Sequence, residues 1–281
     1  MKKTIEEIQD PQSVELLKAL HILTRDGKIN QDSRRKLKQV QHLYQFIEPL
    51  LLELETQNSA LSLVDHGAGK SYLGFIIYDM FFKSRSQGHV YGVEVREDLI
   101  LKSQDLQKKL NFTNMSFLHL NVADSKHSAT LPSEINIVTA LHACDTATDD
   151  AIDFALTKNA QFIVLIPCCQ AEVASKLREN KNFLMKSPLS ELFRHPIHTR
   201  EFGSHLTNVL RCLKLEASGY QVTVTELTGL EHSMKNELII AKKHTGGRAR
   251  LSAERLHYLI EEFGLTDLKK RFSTETTTEK E

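Results

Sequence analysis

The sequence predicts an α/β fold: a seven-stranded, mostly parallel sheet with an antiparallel last strand, preceded by an N-terminal helical extension. Three observations predict it. From Leu61 onward, short apolar runs are each followed by turn residues and then a helical period, the pattern of parallel strands joined by crossover helices. Before Leu61 the apolar residues recur at helical spacing only. Late in the chain, two strand-like runs are separated by the short stretch Gly229 to Asn236, which suits a hairpin-like, antiparallel return.

In order along the chain, Leu16, Leu17, Leu20 and Leu23 mark a first helix, and Asp26-Gly27 breaks it. Asp32-Ser33 offers N-caps for a second helix carrying Leu37, Val40, Leu43, Phe46, Ile47, Leu50 and Leu51. Its opening turns hold Arg34, Arg35, Lys36 and Lys38, a basic face that serves either as a solvated helix edge or as a contact for a phosphate backbone. The strands are read at Leu61–Asp65, His89–Val95, Ser116–Leu120, Ile135–Leu141, Phe162–Pro167, Tyr220–Leu227 and Glu237–Lys242. A capped helix follows from Ser252 to Phe263, stopped by Gly264. This divides the chain into a helical extension (1–58), a sheet domain (59–245), C-terminal helices (246–272) and a Thr/Glu-rich tail (273–281) expected to be disordered.

Composition narrows the class. The 281 residues include 36 basic and 36 acidic side chains, so no overall field recruits nucleic acid or a membrane, and any basic surface must be local. With only 12 Gly and 6 Pro, collagen-like and low-complexity chains are excluded. Cys144, Cys168, Cys169 and Cys212 form no C-x-x-C pair, which points to reduced thiols. The charged N-terminus has no apolar h-region, and the greasiest stretch, Gly74 to Phe82, is too short for a bilayer span. A soluble, cytoplasmic protein without membrane contact is expected, and its oligomeric state is not legible.

The most informative segment is Val64-Asp65-His66-Gly67-Ala68-Gly69-Lys70-Ser71-Tyr72, where an apolar strand runs into an amphipathic helix. A P-loop would need glycine at Val64, and a dinucleotide loop would need glycine at Tyr72. S-adenosylmethionine (SAM) carries no phosphate and needs only close backbone approach, at Gly67, Ala68 and Gly69, with a carboxylate nearby. Asp65 is placed to meet the methionyl ammonium directly or through water. A plain tight turn is the competing reading.

Further strand ends add to this site. Glu94 closes the second strand and can accept two hydrogen bonds from a ribose diol. After the third, the Asn121 amide can pair with an adenine edge and Val122 can flank the ring, although a simple Asn turn also explains Asn121. Leu141, at the exit of the fourth strand, completes the cofactor set.

The fourth strand continues as His142-Ala143-Cys144-Asp145-Thr146-Ala147-Thr148-Asp149, and the fifth ends in Pro167-Cys168-Cys169-Gln170. With the Asp-x-Gly-x-Gly-Lys loop, the sequence resembles SAM-dependent methyltransferases of the Rossmann-like fold whose fourth strand reads His-x-Cys-x-x-Ala-Thr-Asp and whose fifth ends in Cys-Cys. Eukaryotic tRNA ribose 2′-O-methyltransferases carry a similar His-Leu-Cys-Gly-x-Ala-Thr-Asp. The resemblance covers about Leu61 to Lys242 and implies SAM as cofactor and, more distantly, RNA as partner. The chain departs from the tRNA enzymes at Asp145, where they have glycine, and at Gln170, where they have histidine.

His142 and Asp145 are the candidate catalytic pair for deprotonating a nucleophile, with a satisfied strand-end histidine as the rival reading. Cys144, Cys168 and Cys169 can converge with His142 on zinc, but buried, inert cysteines lining a pocket are the commoner outcome, and no metal is assigned. Thr148 and Asp149 are read as helix caps. No Asn/Asp-Pro-Pro-Tyr/Phe follows the fourth strand, which disfavours amino-N-methylation of bases. Of a Lys-Asp-Lys-Glu set only Lys38, Asp145 and Glu226 are available. Substrate contacts are sought at Lys38, Cys168, Cys169, Arg211 and Asn236, with Arg211 alternatively pairing with carboxylates on the sheet surface. A SAM-binding or degenerate interaction module without turnover is the principal alternative.

Overall fold

A computed structural model describes residues 13–273, apart from 25, 28–30, 58–59, 142, 144, 168–169, 181–187 and 228–236; the side chains of Asp32, Lys36, Val122, Ala123 and Leu189 are also outside the description. The sheet contains β1 (Ser62–His66), β2 (His89–Glu94), β3 (Met115–His119), β4 (Ile137–Ala140), β5 (Phe162–Leu165), β6 (Tyr220–Glu226) and β7 (Glu237–Lys243). Their order is β3-β2-β1-β4-β5-β7-β6. The first five are parallel, and β7 runs antiparallel to both β5 and β6. This is the Rossmann-like methyltransferase sheet that the alternating pattern predicts, and each strand lies within two residues of its expected limits.

The helices are α1 (Val14–Ala19), α2 (Gln31–Glu55), α3 (Tyr72–Met80), α4 (Glu97–Lys109), α5 (Val122–His127), α6 (Thr146–Thr157), α7 (Glu172–Glu179), α8 (Pro196–Ala217), α9 (Ala249–Glu262) and α10 (Lys269–Phe272). One sheet face packs on α2 and α3 through Leu63, Val90, Ile137 and Val164, beneath Leu51, Phe75 and Ile76. The other packs on α6 and α8 through Val64, Val138, Ile163 and Ile239, beneath Ile152, Phe154 and Leu215. A third cluster joins α7, α8 and α9 through Leu177, Leu210 and Leu256.

Two expectations need correction. The second helix starts at Gln31, so Asp32 and Ser33 lie within its first turn instead of capping it; Ser33 is buried on the same face as Leu37, one turn on. The boundary expected near residue 58 is not a break in packing, because Leu16, Leu17, Leu43, Ile47 and Leu51 belong to the same core as Phe75 and Ile76. Ser13 N–H donates to the buried Asp79 at 2.5 Å, and Arg85 pairs with Glu55 at 2.5 Å, pinning both ends of the extension. Residues 274–281, most of the expected disordered tail, lie outside the described residues. Among the described residues no helix is long and apolar enough to cross a membrane.

Candidate active site

Between β1 and α3 the chain turns through Gly67 (φ 67°), Gly69 (φ 58°) and Ser71 (φ 49°). Left-handed backbone is open to glycine and costs other residues about 1 kcal/mol or more, which is why the turn needs its two glycines. Ser71 is held there by its N–H to Ala68 O at 2.6 Å and its Oγ to Asp65 Oδ2 at 3.2 Å. Ala68 N–H donates to Val93 O at 3.0 Å, and a Cβ at Gly67 would stand 3.5 Å from that of Ala143. The loop therefore lies across the carboxyl ends of β1, β2 and β4, where an open α/β sheet takes its ligand.

Asp65 reaches this site from beneath. Its carboxylate is buried, accepting from Thr139 Oγ1 at 3.0 Å and from Ser71, and it underpins the loop rather than facing an incoming ammonium. Burial pushes its pKa up to about 6 against the opposing hydrogen bonds from Thr139, Ser71 and the Gly74 N–H. Thr139 escaped the sequence reading, although a lone hydroxyl in Ile137-Val138-Thr139-Ala140 is itself a signal.

Glu94 stands at the β2 end, its Oε2 accepting from Gly69 N–H at 2.7 Å. Its Oε1 accepts from the N–H groups of Val95 and Arg96 and from Arg96 Nε, each at 3.1 Å. Burial alone would raise the carboxyl, but the hydrogen bonds from the Arg96 side chain and from the Gly69 and Arg96 N–H groups hold it below the usual range. Arg96 is a second residue the sequence reading missed; nothing in its spacing marks it.

Asn121, after β3, is exposed and caps α5, its Oδ1 accepting from Asp124 N–H at 2.9 Å. That commits the amide oxygen to the helix. Leu141 is half-buried beyond β4, packed against the core of the α3 face. Val122 opens α5, and its side chain is outside the description. His142, Cys144, Cys168, Cys169 and Asn236 fall outside the described residues, as does the cysteine set considered for zinc. Among the described residues no group of three or more His, Cys, Asp or Glu can hold a metal ion.

Asp145 takes a different role from the expected base. At φ 52°, ψ −119° it has the backbone of the first central residue of a type II′ turn, normally a glycine position. The Asp145 carboxylate accepts from the N–H groups of Ala171 (3.1 Å) and Glu172 (3.4 Å), capping α7 from a distance. Thr148 likewise does not cap α6; its Oγ1 donates to Ala143 O at 2.5 Å.

Arg211 is a correction of the same kind. It is fully buried, so it cannot wall a substrate; it forms a bidentate pair with Asp149 (Nε–Oδ1 2.8 Å, Nη2–Oδ2 2.7 Å) and donates to Asp145 O at 2.7 Å. The alternative pairing with carboxylates is the one realised, and Asp149 serves it instead of capping α6. Next to it, Asn208 bonds Gln170 and Glu237, and Glu237 accepts from His205 Nδ1 at 3.1 Å, so polar side chains link the β5–α7 connection, α8 and β7.

Lys38 is exposed on α2 and none of the described contacts brings it to the loop. A groove of about 1120 Å³ does open beside the loop, lined by Lys18 and His21 of the extension, Lys70 and Tyr72, and Lys102 and Lys109 of α4, with Glu15 and Asp105 as its acidic residues.

A family profile described as "Methyltransferase domain" matches residues 35–176, from α2 to α7 and through every strand end of the loop site. The chain belongs to this methyltransferase-domain family. The Glutathione S-transferase C-terminal domain-containing proteins of Bos taurus and Homo sapiens are each 24% identical to it over 234 residues, 77% of this chain and 34% of theirs. The methyltransferase chain thus spans about a third of the length of these curated relatives. The structure of magnesium protoporphyrin IX methyltransferase from Synechocystis PCC 6803 with bound SAH is 14% identical, covering 82% of this chain and 93% of that one, with a TM-score of 0.43.

Tested against SAM, the residues of this methyltransferase domain fit. The left-handed glycines present bare backbone at the sheet's carboxyl edge, and Glu94 has the acceptor chemistry of a diol partner beside it. The profile match includes α2 and so treats part of the helical extension as integral to the domain.

Proposed function

We propose that the protein is a SAM-dependent methyltransferase acting on RNA. The pairing of Gly69 N–H with Glu94 at 2.7 Å carries the cofactor reading, because it sets a two-oxygen acceptor against a loop whose backbone a ligand can approach closely. When bound, SAM supplies an electrophilic methyl on a sulfonium. The chain's part would be to orient and desolvate: Glu94 would hold the ribose and the 67–69 backbone the amino-acid end, while buried Asp65 keeps the loop in shape. His142 remains the candidate to take a proton from the acceptor as the methyl is transferred, while the Asp145 carboxylate caps α7. For the acceptor, the lysines of the groove beside the loop and the exposed Lys38 on α2 favour a polyanion, and RNA is the polyanion that the resemblance implies.

The test is a calorimetric titration with SAM, S-adenosylhomocysteine (SAH), NAD and ATP, followed by a labelled-methyl assay on total RNA, protein and metabolites. Micromolar binding of SAM and SAH alone, weakened roughly tenfold to a hundredfold by Glu94→Ala, is expected, together with label in RNA. Label confined to protein or metabolites overturns the RNA reading, and SAM binding with no labelled product supports the interaction module.

A further inference from the structure

Glu94 already holds a full set of donors. Oε1 receives three at 3.1 Å, from Val95 N–H, Arg96 N–H and Arg96 Nε; Oε2 receives Gly69 N–H at 2.7 Å and Arg96 Nη2 at 3.5 Å. A carboxylate offers about four lone-pair sites, so two ribose hydroxyls cannot be added without removing a donor. The Val95, Arg96 and Gly69 N–H groups are fixed by the strand-to-helix turn and by the glycine loop. The guanidinium is the one partner on a flexible stem, and its side chain is 62% exposed beside a carboxylate that is 6% exposed. Water and the field of Asp98, in the first turn of α4, receive it when it leaves.

We propose that Arg96 is an internal competitor for the cofactor's ribose: its guanidinium and the ribose diol occupy the same acceptor sites of Glu94 in turn. The inference rests on the SAM reading and deepens it. In the exchange, a hydroxyl donates to Oε1 in place of Nε and another to Oε2 in place of Nη2, and no covalent bond changes. The cofactor's net gain at Glu94 is then the diol's hydrogen bonds minus those of the guanidinium. SAM and SAH carry the same diol, so Arg96 weakens both alike, which eases release of the spent cofactor.

The experiment is calorimetry of SAH and of its 2′,3′-dideoxy analogue on the wild-type protein, Arg96→Ala and Arg96→Gln. An ion pair whose cation is exposed to water is weak, so Arg96→Ala is expected to bind SAH only about twofold to fivefold more tightly than wild type. Affinity for the dideoxy analogue should not change. Arg96→Gln, which keeps the stem and an N–H donor but not the charge, should show a smaller gain in the same direction and guards against a folding defect in the alanine variant. Unchanged or weaker SAH binding by both variants, or an equal gain for both ligands, overturns the proposal. A wild-type protein that binds SAH no better than ATP overturns the SAM reading, and the proposal with it.

Discussion

Asp65 and His66 are neighbours on β1 whose side chains leave opposite faces of the sheet, and both are buried. Burial drives the Asp65 carboxyl up to about 6 and the His66 imidazole, tilted against the Phe154 ring, down to about 4, Lys126 adding to the latter shift and Glu94 opposing it. The signs are opposite in their effect on folding. A carboxyl raised from 3.8 contributes most at low pH and loses its contribution as pH rises through about 6. A histidine lowered from 6.5 contributes above that value and loses its contribution as pH falls through about 4. Each swing is worth about 3 kcal/mol, so over this window they nearly cancel. In urea unfolding between pH 4 and 6.5 these two groups together should therefore add little net slope to the wild type. Asp65→Asn should leave a protein that weakens on acidification, and His66→Phe one that strengthens; variants that both track the wild type would refute the assignment. Neither environment was legible in Val64-Asp65-His66-Gly67, which says that a carboxylate ends the strand but not which way its oxygens are satisfied.

At the scale of elements, the buried Arg211–Asp149 pair ties α8 to α6, and the Arg211 bond to Asp145 O extends the tie to the turn that caps α7. Removing one member strands the other's charge in the core. Arg211→Met should cost about 3–5 kcal/mol, and adding Asp149→Leu should recover much of that loss, since a buried ion pair replaced by apolar groups is often neutral. Thermal melts of the single and double variants check this; additive losses would show that the pair is not the link. The helices and strands themselves were readable because their periods of 3.6 and 2 are written locally. The partnership of Arg211 with Asp149, 62 residues apart, was present only as one of two open readings, because no local pattern announces a contact between distant helices.

For the whole molecule, the helical extension and the sheet share one core: Leu16, Leu43, Ile47 and Leu51 pack with the same cluster as Phe75, Ile76 and Ile77 of α3. A protein lacking residues 1–58 should expose that face and lose its cooperative melting transition while keeping far-ultraviolet helical signal; a sharp transition in the truncated chain would show that the extension is a separate unit. By itself the sequence determined the class of fold, the strand limits to within two residues, the glycine turn and the acidic end of β2. All of these follow from local periodicity or from backbone angles that few residue types tolerate. Only the tertiary structure decided that Asp65 lies under the loop, that Asp145 and Arg211 hold helices together, and that Arg96 covers Glu94. The reason is physical: what a charged side chain does is set by who shares its burial, and for Asp65 the deciding partner, Thr139, is 74 residues away.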